Sequence, residues 1–177
     1  MSQGTDIELA ADGIQRETVA HGEQFIVVQV SGESYAVPIG SIQEVEHVPR
    51  PAPVPGSAPW VLGVVNLRGS ILTLADTADL LGTGTWQPAK DARMLVCGGD
   101  DPVALAVDRL RGMRRLADIS RSPVTANLPG RASEYVSGVH HSDGEWLSVL
   151  SVDRVLEDGD RMSFSAGGAD IPIERAG

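Results

Sequence analysis

Cysteine is nearly missing from this chain: Cys97 is the single one in 177 residues. One thiol cannot form an internal disulfide, so a cystine framework is excluded and a reducing compartment fits. Aromatic residues are also scarce, at 4%. No apolar run reaches the roughly 18 residues that a membrane-spanning helix requires. The opening MSQGTDIELAADG has neither a basic n-region nor an apolar h-region and does not read as a signal peptide. Positive charge is in deficit, with 14 Lys and Arg against 24 Asp and Glu and a net charge of -10. That balance argues against nucleic acid and anionic membranes as partners, since both select a cationic face. The expectation is an acidic cytoplasmic protein with no direct membrane insertion.

Constellations that carry chemistry are missing too. Gly82-Thr83-Gly84 has no following lysine and no βα context, so it reads as a turn rather than a phosphate loop. Cys97 lies mid-strand beside Val96 and reads as a buried, inert thiol. His140 and His141 are adjacent on an extended segment and so point to opposite faces. With Ser142-Asp143-Gly144 they read as a solvated hairpin, not a metal site. His21 falls in a terminal segment, and His47 on an ordinary exposed strand position. No catalytic residue, metal ligand or cofactor is expected. Arg109, Arg111, Arg114 and Arg115 form one basic cluster without interleaved aromatics. It suits carboxylate partners, on this chain or another, better than a phosphate backbone.

Order and charge are unevenly spread. Residues 1–24 carry five acids against Arg16, and residues 157–177 carry five acids against two arginines. Both ends, 1–24 and 158–177, read as flexible tails whose charge is a solvating fringe. The ordered domain is expected at 25–157, in closely packed halves at about 25–82 and 93–157. FIVVQV (25–30), ESYAVPI (33–39), IQEVEHV (42–48), VLGVVNLR (61–68) and SILTLAD (70–76) read as strands, with turns at Ser31-Gly32 and Gly69. Five prolines between 49 and 59 must form a loop. A short helix ending at Gly82 closes this half.

The second half repeats the first. At a shift of 68, FIVVQV overlies RMLVCG (93–98) and YAVPIGSIQEVEHV (35–48) overlies VALAVDRLRGMRRL (103–116). At a shift of 75, Gly63 falls on Gly138, and SILTLADTADLL overlies EWLSVLSVDRVL. The change of shift is a seven-residue insertion in the connecting loop. The fold class expected is all-β: two tandem five-stranded SH3-like β-barrel subdomains around a shared apolar core, with short helices.

WVLGVVNLRGSILTLADTADLLG (60–82) resembles the signature of the CheW family, the adaptors of bacterial chemosensory arrays. YAVPIGSIQEVEHV, VALAVDRLRGM and YVSGV fit the same family, so the likeness covers about 25–157. It implies a non-catalytic scaffold in chemotaxis signal transduction that links the cytoplasmic tips of chemoreceptors to the regulatory domain of a CheA-type histidine kinase. It also implies association with membrane receptor arrays and ring assembly with the kinase. Carried over by position, Ile42, Glu44 and Gly63 are expected at the kinase contact, and Asn66 and Arg68 at the receptor contact. Ile42 and Glu44 are expected to share a strand face, Gly63 to admit a foreign backbone, and Arg68 to offer its planar fork to a carboxylate. Gly63 also reads as an internal packing glycine, and Glu44 and Arg68 as a simple pair. The family commonly has Pro where Thr73 stands, and Leu-Arg where Thr77-Ala78 follow Asp76. These departures keep open a scaffold of a divergent pathway, such as surface or twitching motility, binding a kinase or other partner without classical receptors. A small-molecule-binding β-barrel ranks below both.

Overall fold

Most strands form where β-branched residues cluster, although the strand RLRGMRRL (109–116) holds none. The computed structural model describes residues 22–117, 128, 130–142 and 144–158. The first half holds β1 (Glu23–Val30), β2 (Glu33–Pro38), β3 (Ile42–His47), β4 (Val61–Leu67), β5 (Ser70–Asp76) and the helix α1 (Thr77–Leu81). The second half holds β6 (Arg93–Cys97), β7 (Val103–Val107), β8 (Arg109–Leu116), α2 (Ala132–Tyr135), β9 (Val136–Ser142) and β10 (Glu145–Leu150), followed by helical residues 152–158. The expected tails fall, but for Gly22–Gln24 and residue 158, outside the described residues, as do His21 and Asp143.

The strands build two mixed five-stranded sheets, in the orders β8-β1-β2-β10-β9 and β3-β6-β7-β5-β4. Advancing each strand by one half converts the first order into the second, so the repeat is a duplication of topology. Register agrees: Tyr35 pairs in parallel with Ser148, as Val103 does with Thr73, and Gly138 faces Val149 as Gly63 faces Leu74. Bulges repeat too. Gln43 and Arg111 are the extra residues in β3 and β8, and Leu62 and Ser137 those in β4 and β9. The Asp76 amide donates to the Trp60 carbonyl at 2.7 Å, and the equivalent Ser151 amide donates to Tyr135 at 2.7 Å.

This corrects the expected fold class in two respects. The halves do not each make a barrel, because each sheet takes two strands from one half and three from the other. Nor do the sheets close: no ladder joins β8 to β9 or β3 to β4. In the second sheet the physical reason is the proline segment. Prolines lack an N–H, so Pro51 and Pro53 cannot extend a ladder. Ala52, between them, is the one bridging residue, exchanging two 2.8 Å bonds with Val64. In the first sheet both edges, β8 and β9, come from the second half, and side chains rather than backbone span the opening, Arg111 and Arg114 of β8 reaching Glu145 of β10.

The core is likewise double. A large cluster between the sheets joins Val28, Val30, Tyr35, Val37, Leu74, Leu80, Leu95, Leu105 and Leu150. Phe25, Val27, Ala36, Leu116, Leu147 and Val149 form a smaller one on the other face of the first sheet. β1 alternates between the two, which is why its sequence reads as a continuous apolar run. Cys97 is fully buried, and desolvation pushes its thiol up to about 12, as suits the inert role expected of it.

Candidate functional site

The β4–β5 hairpin turns through two residues, Arg68 and Gly69, at φ of 52° and 94°. Two positive φ values make the tight turn that matches strand twist. Glycine accepts this freely, whereas arginine is uncommon there, and the β1–β2 turn has the same geometry at Ser31 and Gly32, with φ of 50° and 86°. Asn66 steadies the turn, its Oδ1 accepting from the Gly69 amide at 2.9 Å. The turn therefore holds Arg68 outward, 71% exposed, and aims it across the opening of the second sheet.

There it meets β3. Nη1 lies 2.8 Å from Glu44 and Nη2 lies 2.8 Å from Glu46. Both ends of the guanidinium fork are occupied by carboxylates from one strand face, two residues apart. Three of the five expected site residues, Glu44, Asn66 and Arg68, are thus brought together, and the simple-pair reading of Glu44 with Arg68 holds.

The other two sit differently. Ile42 and Glu44 were expected on one face, but the bulged Gln43 lies between them and donates to the Gly99 carbonyl at 2.8 Å. Ile42 packs on the core while Glu44 turns outward to Arg68. Gly63 is buried with φ 141°, and a Cβ there would stand 2.3 Å from the Ala52 carbonyl oxygen. The backbone it admits is this chain's own proline segment.

Sequence reasoning missed Glu46, although its i+2 spacing from Glu44 was a signal. It also missed Ile71 and Trp146, exposed by 63% and 62%. They occupy equivalent positions in the two hairpins, Ile71 opposite Asn66 and Trp146 opposite His141, whose ring lies 4.5 Å from the indole. Asp76 is structural: one carboxylate oxygen caps α1 at the Asp79 amide (3.0 Å) and the other takes the Trp86 amide (2.9 Å). A shallow open cleft of about 230 Å³ between Asp91, Arg93, Arg109 and Leu110 is smaller than the roughly 300 Å³ at which small-molecule pockets begin.

Fold and surface together describe a duplicated β protein that carries a charged clasp and solitary exposed apolar side chains. The family model for the CheW-like domain matches residues 24–160. The chain is 33% identical to protein PilI of Pseudomonas aeruginosa over 120 residues, covering 67% of each chain. It is 31% identical to chemotaxis protein CheW of Bacillus subtilis over 137 residues, covering 77% of this chain and 88% of that one. The crystal structure of scaffolding protein TtCheW from Thermoanaerobacter tengcongensis shares the fold, with TM-score 0.66 at 20% identity over 73% of this chain and 88% of that one. The chain belongs to the CheW family, the non-catalytic scaffolds that couple chemoreceptors to CheA-type histidine kinases.

Proposed function

We propose that β3 and the proline segment seated on Gly63 form the face for the regulatory domain of a CheA-type kinase, with Ile42, Glu44 and Gly63 shaping it. The β4–β5 turn, through Asn66 and Arg68, meets the cytoplasmic tips of chemoreceptors. In this reading the domain at 25–157 is cytoplasmic, held at membrane arrays by its receptors and assembled in rings with the kinase. One observation supports it: a single guanidinium on the β4–β5 turn holds two carboxylates on β3. A receptor carboxylate that draws Arg68 away leaves Glu44 and Glu46 uncompensated, so an event on one surface changes the charge of the other.

The test is Arg68→Glu in a reconstituted receptor, kinase and adaptor system. Receptor-dependent kinase activation is lost while circular dichroism and the melting midpoint stay near wild type. Full activation by this variant, or global unfolding, would overturn the assignment.

A second reading is a scaffold of the same fold in a surface-motility pathway, binding a kinase or another partner without classical receptors. It draws on the 33% identity to PilI and the 25% identity to FrzA of Myxococcus xanthus, neither of which is named for chemotaxis. Capture from native lysate separates the two. Receptors and kinase recovered together support the first reading, and a kinase without receptors supports the second.

A further inference from the structure

The basic cluster on β8 takes no part in the receptor and kinase contacts proposed above. Among the described residues, β8 pairs with β1 on one side and with no strand on the other. Its residues 109–113 are all exposed. A long strand edge left open in this way is ordinarily covered, guarded, or used as a template for another strand.

Register divides the side chains of β8 between two faces. Gly112 and Arg114 stand opposite Val27 and Phe25, which point into the smaller core cluster. The bulged Arg111 joins that face, where its guanidinium donates to Ser34 Oγ at 2.6 Å and to the Glu145 carboxylate. Arg114 lies 3.2 Å from the other oxygen of Glu145, yet its Nη1 makes no hydrogen bond. Two partly exposed guanidiniums therefore share one carboxylate. Met113 and Leu110 stand opposite Ile26 and Val28 and belong to the other face, exposed by 64% and 37%. One face of the edge is thus cationic and short of acceptors, and the other is apolar.

A strand laid along this edge alternates its side chains in step with β8, every second residue falling on each face. Its matching chemistry is an acid beside Arg111 and Arg114 and an apolar residue beside Met113. The arginines also disfavour a second copy of the same edge, since like charges directly opposed are destabilising.

We propose that the free edge of β8 is a docking site for an extended segment of a partner protein in which acidic and apolar residues alternate. The segment adds a sixth strand to the five-stranded first sheet. Its main chain pairs with β8, its carboxylates take the remaining donors of Arg111 and Arg114, and its apolar residues cover Met113 and Leu110. Main-chain pairing supplies affinity, and alternation supplies register, because a slip of one residue brings acids onto Met113. The surface is separate from Arg68 and β3, which belong to the second sheet and its hairpin.

The test is fluorescence anisotropy of the full chain with a labelled peptide of alternating Glu and Val, as long as β8. It binds at least about tenfold more tightly than a peptide of the same composition with its Glu residues in one block. Alternating Lys and Val does not bind. N-methylating the peptide throughout, which removes its main-chain donors, weakens binding by about tenfold or more. Arg111→Glu with Arg114→Glu also weakens it by about tenfold or more. That pair also removes the contacts to Glu145, so Met113→Asp probes the exposed apolar face independently. It weakens binding severalfold while circular dichroism stays at wild type. Hydrogen exchange locates the site, the peptide slowing those β8 amides that β1 leaves unpaired and leaving β3 unchanged. Equal binding of the alternating and block peptides would overturn the proposal, as would binding that survives N-methylation or charge reversal. So would β8 amides of that set already slow in the free chain, which would show the edge held by the chain itself or by a second copy.

Discussion

The two hairpins, β4–β5 and β9–β10, share register, bulge and backbone capping bond, yet their charges are reversed. In the second sheet the cation is on the hairpin, at Arg68, and the acids Glu44 and Glu46 are on the third strand of the unit. In the first sheet the acid is on the hairpin, at Glu145, and the cations Arg111 and Arg114 are on the third strand. Each opening that lacks a backbone ladder is thus spanned by an ion-pair clasp of opposite polarity. Duplication kept what the fold needs, namely strand pairing and bulges, and left the polar fastening free to diverge. Two equivalent ends of one molecule can thereby face different partners.

The largest effect is expected at Gly63, where backbone rather than charge decides. Gly63→Ala drives a Cβ into the Ala52 carbonyl at positive φ and should cost about 3 kcal/mol in urea unfolding. Gly69→Ala meets only open space at its positive φ and should cost about 1 kcal/mol. Similar losses would mean that the seat for the proline segment is soft. Next comes the capping position. Asp76→Ala removes both the α1 cap and the Trp86 contact, a loss of about 2–3 kcal/mol. The equivalent Ser151→Ala keeps its backbone bond to Tyr135 and should lose no more than about 1 kcal/mol.

The clasps themselves give the smallest stability effects. Arg68→Ala removes an exposed pair and should shift stability by no more than about 1 kcal/mol. The clasp of the first sheet shows itself in the pH profile. The Ser34 hydroxyl, helped by Arg111 and Arg114, holds the Glu145 carboxyl below its ordinary 4.5 against the opposing effect of burial. A lowered folded-state value means that its contribution is complete above pH 4.5 and fades as the pH falls below it. Glu145→Gln should flatten that acid limb in thermal melts.

Much of this was legible from residues. FIVVQV, the turn at Ser31-Gly32 and the end of α1 at Gly82 follow from β-branched runs and glycine punctuation. The repeat was legible as well, because matched apolar positions recur at constant shifts. The exchange of strands between sheets was not. Alternation states which face of a strand is buried, but not which of two equivalent partners it pairs with. Ile42 and Glu44 were placed on one face because strand periodicity is two, and the extra Gln43 cancels that rule locally. Gly63 announced a close approach without naming Ala52, since the proline segment reads as a loop with no pairing of its own.

The proposed coupling of receptor and kinase surfaces through Arg68 is decided by measuring receptor-dependent kinase activation with Arg68→Glu, with Glu44→Arg and Glu46→Arg together, and with all three combined. Coupling through the clasp predicts loss of activation in the first two and recovery when the charges are exchanged, with all variants folded. An exchanged variant no better than either parent would contradict it.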